Sequence, residues 1–145
     1  MSETPNSFRA AQLIYELLNA RQVEIEAFIR ALVETESPSG DVARQRLQHV
    51  VHALLIRRHA LERRQSERFA SVSEIKRVDV PDFGQHVVIQ AFTEHRSNGQ
   101  ILVVGHTDTV HARGSVALRP WRHDAGKIYG PGIFDMKANC VLIIE

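Results

Sequence analysis

The spacing of apolar residues changes near residue 70, and this change limits the chain to a fold that combines helices with strands. Residues 7–35 contain neither glycine nor proline, and their apolar side chains recur at helical spacing. We expect one interrupted helix or two consecutive helices that end before Pro38, because the residue before a proline avoids the helical region. Another helix is expected from about Val42, capped by Asp41. The apolar positions of the first region are Leu13, Ile14, Leu17, Leu18, Ile25, Phe28, Ile29, Leu32 and Val33.

After residue 70 the pattern becomes that of strands. Residues 73–80 and 86–93 alternate or run apolar and are rich in β-branched side chains, with a hairpin-sized connection between them. The run "ILVVG" at residues 101–105 is apolar almost throughout, which predicts a third strand with both faces buried. Helices followed by strands of this kind predict a layered α/β domain. Without repeats or a long linker, residues 1–145 are interpreted as part of one domain.

Composition excludes several classes of protein. The chain is 43% hydrophobic and 24% charged with a net charge of +1, which argues against a dedicated nucleic-acid or membrane partner. No apolar run approaches the roughly 20 residues that span a bilayer. An RNA-binding role for the arginine-rich residues 57–68 is the weaker alternative to a solvated helix end, because glutamates interrupt the positive charge. The single cysteine, Cys140, excludes an internal disulfide, so a cytoplasmic location is the default expectation.

Polar residues follow the predicted third strand directly, in the sequence "GHTDT". In extended chain the side chains of His106 and Asp108 share a face, and ligands of open α/β sheets bind beyond the carboxyl ends of strands. A neutral imidazole is a good metal ligand, and a carboxylate beside it can accept the other ring N–H and fix its orientation. The alternative is a loop histidine with a capping aspartate.

A second segment, "GKIYGPGIFDMKA", places Asp135 just before a predicted helix. Gly130, Pro131 and Gly132 indicate an unusual backbone path in front of this aspartate. A carboxylate that simply caps the helix is the alternative interpretation.

Together, "GHTDTV", "RPW" and "GKIYGPGIFDMKA", with the upstream "ETESPSGD" at residues 34–41, resemble the zinc-dependent aminoacylase and glutamate carboxypeptidase superfamily. That superfamily includes acetylornithine deacetylase, succinyl-diaminopimelate desuccinylase and peptidase T. The resemblance covers roughly residues 21–145, and "YGPG" is more similar to the glutamate carboxypeptidase branch. It implies that residues 1–145 are the N-terminal portion of a layered mixed-sheet zinc-exopeptidase catalytic domain.

The resemblance also implies roles for three residues. His106 matches a histidine ligand of one metal, Asp108 the catalytic aspartate that holds the imidazole, and Asp135 the carboxylate that bridges two metals. A cis peptide is expected directly after Asp135. The implied metals are two Zn²⁺ ions, with Co²⁺ or Mn²⁺ as alternatives. The implied reaction is hydrolysis of an amide next to a free carboxylate, in a small peptide ending in a residue such as glutamate or in an N-acyl amino acid.

The superfamily's Glu-Glu pair, further acidic ligand and distant histidine cannot be placed within residues 1–145. We therefore expect this chain alone to be inactive and to bind zinc weakly, with homodimer formation, if any, through a missing further domain. The rival hypothesis is an incomplete or degenerate fragment that keeps the fold without catalysis.

Four further expectations concern neighbouring residues. His111 and His123 are interpreted as loop histidines, with substrate contact as the alternative. Lys137 either balances the charge of the site or is solvated, Cys140 is expected to be helical and buried for packing, and Trp121 is expected to pack over the loop.

Overall fold

The computed structural model describes residues 5–40, 72–80, 84–93, 97 and 99–145. The helices are α1 (Pro5–Ala20), α2 (Gln22–Glu34), α3 (Ser115–Leu118) and α4 (Ala138–Ile144), and the strands are β1 (Val72–Val80), β2 (Gly84–Ala91), β3 (Arg122–Asp124) and β4 (Lys127–Tyr129). A π-helical turn, Ile133–Lys137, precedes α4. The expected helix from Val42, its cap Asp41 and the arginine-rich stretch lie outside the described residues.

Of the two arrangements expected for residues 7–35, one interrupted helix or two consecutive helices, the structure has two consecutive helices, and they differ in burial. Every apolar position predicted for α2 is buried, from Ile25 to Val33, whereas Leu13 and Leu17 of α1 are exposed and Leu18 alone of its predicted positions packs against the core. Arg21 lies at the junction and forms an ion pair with Glu145 at 2.6 Å. The helical period is thus correct for both helices, while contact with the rest of the chain decides which of them is buried.

The core of the described residues centres on α2. Its buried residues pack with Val141 of α4, and partly buried side chains close around them: Leu18, Ile75, Val87, Trp121, Ile128, Ile133, Ala138 and Ile144. Trp121 therefore packs against the core, whereas the sequence predicts packing over the loop. This packing brings the turn after α2 close to the turn before α4, where the candidate site lies.

The described strands form two separate antiparallel pairs. β1 pairs with β2, with Ile75 opposite Ile89, which confirms the predicted hairpin. β3 pairs with β4 over three residues, and the guanidinium of Arg122 lies 4.1 Å from the centre of the Tyr129 ring. The chain is therefore mixed α/β, with small antiparallel sheets.

The prediction of a doubly buried third strand at residues 101–105 is wrong for this structure. Ile101 is 92% exposed and Leu102 87%, and no described residue pairs with this run in a sheet. An apolar run records a preference for nonpolar surroundings, but a strand also needs a neighbour for its N–H and C=O groups. β1 and β2 satisfy each other instead, and the backbone of residues 101–105 remains extended without a partner strand among the residues described.

Within the part of the chain that the structure describes, no helix is both long and apolar enough to cross a membrane.

Candidate functional site

The loop that carries His106 and Asp108 is fastened to the turn after α2. The backbone N–H of Ser39 donates to the carbonyl of Thr109 at 2.9 Å, and the backbone N–H of Thr109 donates to the carbonyl of Ser37 at 2.9 Å. These two bonds form a parallel β-bridge. The Ser37 hydroxyl adds a bond to the carbonyl of Thr107 at 2.7 Å. Ser37 and Thr109 are both buried. Because buried polar groups with partners hold one geometry, this parallel bridge fixes the backbone on which the two candidate residues sit.

The imidazole of His106 lies between two aspartates. Its Nε2 is 3.1 Å from Oδ1 of Asp135, which is 29 residues away in the chain. Its Nδ1 is 3.1 Å from the backbone carbonyl oxygen of Asp108 and 3.7 Å from the Oδ1 of the same residue. The structure thus brings together all three residues that the sequence singled out, at one end of an open cleft.

Both ring nitrogens of His106 face oxygens that can only accept hydrogen bonds, the backbone carbonyl of Asp108 and the carboxylate of Asp135. The neutral imidazole has one N–H, so it can donate to only one of them. If the hydrogen is on Nδ1, the lone pair of Nε2 is directed at the Asp135 carboxylate, and a cation bound by both atoms would join them.

The carboxylate of Asp108 is held separately. Its Oδ2 accepts a hydrogen bond from the Ser39 hydroxyl at 2.6 Å, and its side chain is 17% exposed. The nearest acceptor to His106 Nδ1 is the Asp108 backbone carbonyl, and the carboxylate lies just behind it. Orientation of the imidazole by this residue therefore combines its main chain and its side chain. Sequence reasoning missed Ser39, although "SPSG" after a helix is a recognisable polar turn.

The turn before α4 directs Asp135 at His106 and away from the helix. Helical backbone angles are lost at Asp135 (φ −123°, ψ 93°) and Met136, and the peptide bond between them is cis, as the resemblance implies. The N-terminus of α4 has no side-chain cap, so the capping interpretation of Asp135 is not what the structure has. Its side chain is 80% exposed and its contact is His106.

Gly132 makes this turn possible. Its φ is +72°, and a Cβ at this position would clash with the methyl group of Thr109. A side chain is therefore excluded by both conformation and space. The special backbone path expected for residues 130–132 is present, and its cause is the close approach of the loop that carries His106 and Asp108.

Lys137 is neither solvated nor paired with the charges of the site, the two roles expected from the sequence. It is 1% exposed, and its Nζ donates to the carbonyls of Leu32 at 2.8 Å and Thr35 at 3.0 Å, at the C-terminal end of α2. Burial lowers the pKa of Lys137 to about 8, and the nearby Glu36 carboxylate opposes this shift. A cation at a helix C-terminus is favoured by the helix dipole. Lys137 thus links the turn before α4 to the C-terminal end of α2. The local sequence does not predict this role.

Cys140 is helical as expected, but it is half-buried, and it contacts the backbone of His106. Its thiol donates to the carbonyl of His106 at 3.2 Å, and burial raises the pKa of the Cys140 thiol. Its Sγ would lie 3.0 Å from a Cβ on Gly105. Because Gly105 has no side chain, it allows this close approach of Cys140.

A second loop borders the cleft and is positioned by Glu36. Its Oε2 accepts from the N–H of Gly114 at 2.9 Å and its Oε1 from the N–H of Val116 at 3.0 Å. These two bonds to the charged form lower the pKa of Glu36. The loop carries His111, which lines the cleft with His106 and Asp135. His123 is exposed on β3 and does not line it.

The donor atoms at the cleft suit a divalent cation in kind. Imidazole nitrogen and carboxylate oxygen are ligands of Zn²⁺, Co²⁺ and Mn²⁺. Two ligands of one tetrahedral zinc lie roughly 3.3 Å apart, close to the 3.1 Å between His106 Nε2 and Asp135 Oδ1. No group of three histidine, cysteine or acidic side chains suited to a metal occurs within the described ranges. His106 and Asp135 thus offer two ligands of a site that would need more.

A part of the chain is similar to a known carboxypeptidase. The chain is 39% identical over 50 residues to carboxypeptidase G2 of Pseudomonas sp. (strain RS-16), which is 34% of this chain. The matched part spans 12% of the length of that carboxypeptidase. No protein-family model matches the chain. A match of this extent indicates at most a distant relation to a hydrolase.

Proposed function

We propose that this chain contributes to the metal centre of a hydrolase that cleaves an amide bond next to a free carboxylate. The observation that carries the proposal is the 3.1 Å distance between His106 Nε2 and Asp135 Oδ1, which suits two ligands of one metal ion. The partial match to a carboxypeptidase supports the reaction class. His106 and Asp135 are the proposed ligands, and the proposed resident metal is zinc, with cobalt or manganese as alternatives.

In this proposal each residue of the site has one task. Asp108 keeps the hydrogen on Nδ1 of His106, so that the lone pair of Nε2 stays directed at the cation position. Asp135 contributes negative charge at that position, and its exposure leaves its second oxygen accessible for a further ligand contact. A divalent metal held there by His106 and Asp135 would lower the pKa of a bound water and would polarise a carbonyl oxygen. The amide substrate would enter through the open cleft beside His111.

The proposed substrates are small peptides with a free C-terminal carboxylate, such as those ending in glutamate, and N-acyl amino acids. Both present an amide carbonyl within one residue of a carboxylate. The partial match does not separate these two, so both belong in the assay.

The test measures metal binding and hydrolysis separately in the intact gene product. Metal-free protein is titrated with Co²⁺, whose absorption reports nitrogen and oxygen ligands. Hydrolysis is followed as release of the amino acid from N-acyl amino acids and of glutamate from small peptides that end in it. We expect His106→Ala and Asp135→Ala each to weaken metal binding at least tenfold, because each removes one ligand. His123→Ala, an exposed histidine on β3, is the matched control. Equal metal affinity in all three variants, or hydrolysis that is indifferent to the metal, would refute the proposal.

A further inference from the structure

Ser39 lies in the turn after α2, and its backbone position is fixed from both sides. Pro38 precedes it with a restricted φ angle, and Gly40 follows it in a turn at φ +80°. The N–H of Ser39 donates to the carbonyl of Thr109 at 2.9 Å, beside the parallel bridge that joins Pro38 and Thr109. The main chain therefore sets the direction in which the Ser39 side chain leaves the turn, and only rotation about χ1 remains to be ordered when its hydroxyl forms a bond.

The hydroxyl of Ser39 reaches the carboxylate of Asp108 from this position. It donates to Oδ2 at 2.6 Å, whereas a second acceptor, the carbonyl of Thr109, lies at 3.3 Å. A hydroxyl has one hydrogen, and the shorter contact is to the charged oxygen, where a hydrogen bond is stronger. Ser37, two residues earlier in the same turn, donates instead to the carbonyl of Thr107. The two serines thus differ in what they hold, since Ser37 bonds main chain and Ser39 bonds a charged side chain.

The two aspartates beside the His106 ring differ in how firmly they are held. The Asp108 side chain is 17% exposed and bonded by Ser39, and its Oδ1 is 3.7 Å from Nδ1 of the ring. The Asp135 side chain is 80% exposed and lies 3.1 Å from Nε2. Each carboxylate favours a hydrogen on the ring nitrogen that it faces, so the two compete for the one hydrogen of the neutral imidazole. A fixed Asp108 favours the tautomer with this hydrogen on Nδ1, which then also donates to the Asp108 carbonyl at 3.1 Å.

We propose that Ser39 is a positioning residue, which acts on the His106 ring through the Asp108 carboxylate and keeps the lone pair of Nε2 directed towards Asp135. The consequence for metal binding rests on the proposed function, because this lone pair is what a metal ion shared with Asp135 would bind. The tautomer itself is a property of the metal-free protein, and it is argued from the contacts of Ser39, Asp108 and His106.

The first test measures the tautomer of His106 in the metal-free intact gene product. Isotopically labelled ring nitrogens are followed by NMR at a pH high enough for the ring to be neutral, where a nitrogen with a hydrogen and one with a lone pair have different shifts. We expect mainly the Nδ1–H form in the native protein, a shift towards the Nε2–H form in Ser39→Ala, and the native signals in Ser39→Thr, which keeps a hydroxyl. Ser115→Ala is the matched control, because it also removes a 2.6 Å hydroxyl bond, in this case to the carbonyl of Ala112.

The second test measures the consequence for metal affinity by titration of the same variants with Co²⁺. Ser39→Ala should bind Co²⁺ about tenfold more weakly, because it removes a group that orients a ligand through its neighbour. Ser39→Thr and Ser115→Ala should bind Co²⁺ as the native protein does. Unchanged affinity in Ser39→Ala, in a protein whose His106→Ala variant loses the metal, would overturn the inference.

The outcomes separate this inference from the proposed function. An unchanged His106 tautomer in Ser39→Ala overturns the positioning role, and so does an equal change in Ser115→Ala or a failure of Ser39→Thr to restore the native signals. A tautomer that depends on Ser39 in a protein that binds no Co²⁺ supports the positioning role and refutes the proposed function.

Discussion

Asp135 and Lys137 are two residues apart and have opposite surroundings. The Asp135 side chain is 80% exposed and contacts His106, whereas Lys137 is 1% exposed and donates to two carbonyl groups at the C-terminal end of α2. The same turn therefore carries a solvent-accessible carboxylate, Asp135, which a ligand can reach, and a buried ammonium group, Lys137, whose partners are backbone carbonyls. We infer that the buried Lys137, through its bonds to α2, stabilises the turn that directs Asp135 towards His106.

The largest effect is expected from removing the buried charge. Lys137→Ala should lower the free energy of unfolding by about 3 kcal/mol, because it leaves a cavity and takes the donor from the carbonyls of Leu32 and Thr35. Lys137→Met, which keeps most of the volume, should lower it by roughly 1–2 kcal/mol. Denaturant unfolding gives both values.

The control for this prediction is Lys127→Ala, an exposed lysine on β4, which should change stability by less than about 0.5 kcal/mol. If Lys137→Ala were no more destabilising than Lys127→Ala, the buried lysine would not hold the turn, and the comparison with Asp135 would fail.

A smaller effect is expected from filling the space behind the turn. Gly132 and Gly126 have nearly the same φ, +72° and +74°, but only Gly132 has a neighbour, Thr109, where a Cβ would lie. Gly126→Ala should cost about 1 kcal/mol for the backbone conformation alone. Gly132→Ala should cost roughly 2–3 kcal/mol, because overpacking adds to that conformational cost.

Unfolding curves for the two glycine variants isolate the contribution of the close contact. An equal decrease in the free energy of unfolding in both variants would mean that the loop carrying His106 shifts at little energetic cost to accommodate the Cβ. In that case the distance between His106 and Asp135 would not be set by this packing.

The exposed charge should matter little for the fold. Asp135→Asn is expected to change the free energy of unfolding by less than about 0.5 kcal/mol, since its side chain is solvated. Its metal affinity should nevertheless fall with that of His106→Ala. A loss of stability as large as that of Lys137→Ala would show that Asp135 is structural, against the contrast drawn between the two residues.

The weakest expected effect concerns pH. The two backbone hydrogen bonds lower the pKa of Glu36 in the folded chain, so their stabilisation is present above the ordinary glutamate value of about 4.3 and is lost as the pH falls through the lower folded value. The amide signals of Gly114 and Val116 should shift in that acidic range by NMR. In Glu36→Gln the shift should disappear, and its persistence would assign the titration to another group.

Much of the fold follows from local patterns. The apolar spacing of α2, the alternation in β1 and β2, and the glycine-rich turn are short-range signals, and each element is present where the sequence predicts it. The proximity of His106 and Asp108 also follows from extended backbone. The resemblance extended this to Asp135, which local geometry could not place beside a residue 29 positions away.

The sequence by itself determined the helical and strand periods, the polar pair after "ILVVG", and the turn that only glycine can make. Tertiary structure alone decided that Ile101 and Leu102 are exposed, that Ser39 holds Asp108, and that Lys137 is buried. The physical reason is that period and turn chemistry act within a few residues. Whether a lysine is solvated or a strand is paired depends instead on carbonyl groups that lie far away in the chain, as Leu32 lies 105 residues from Lys137.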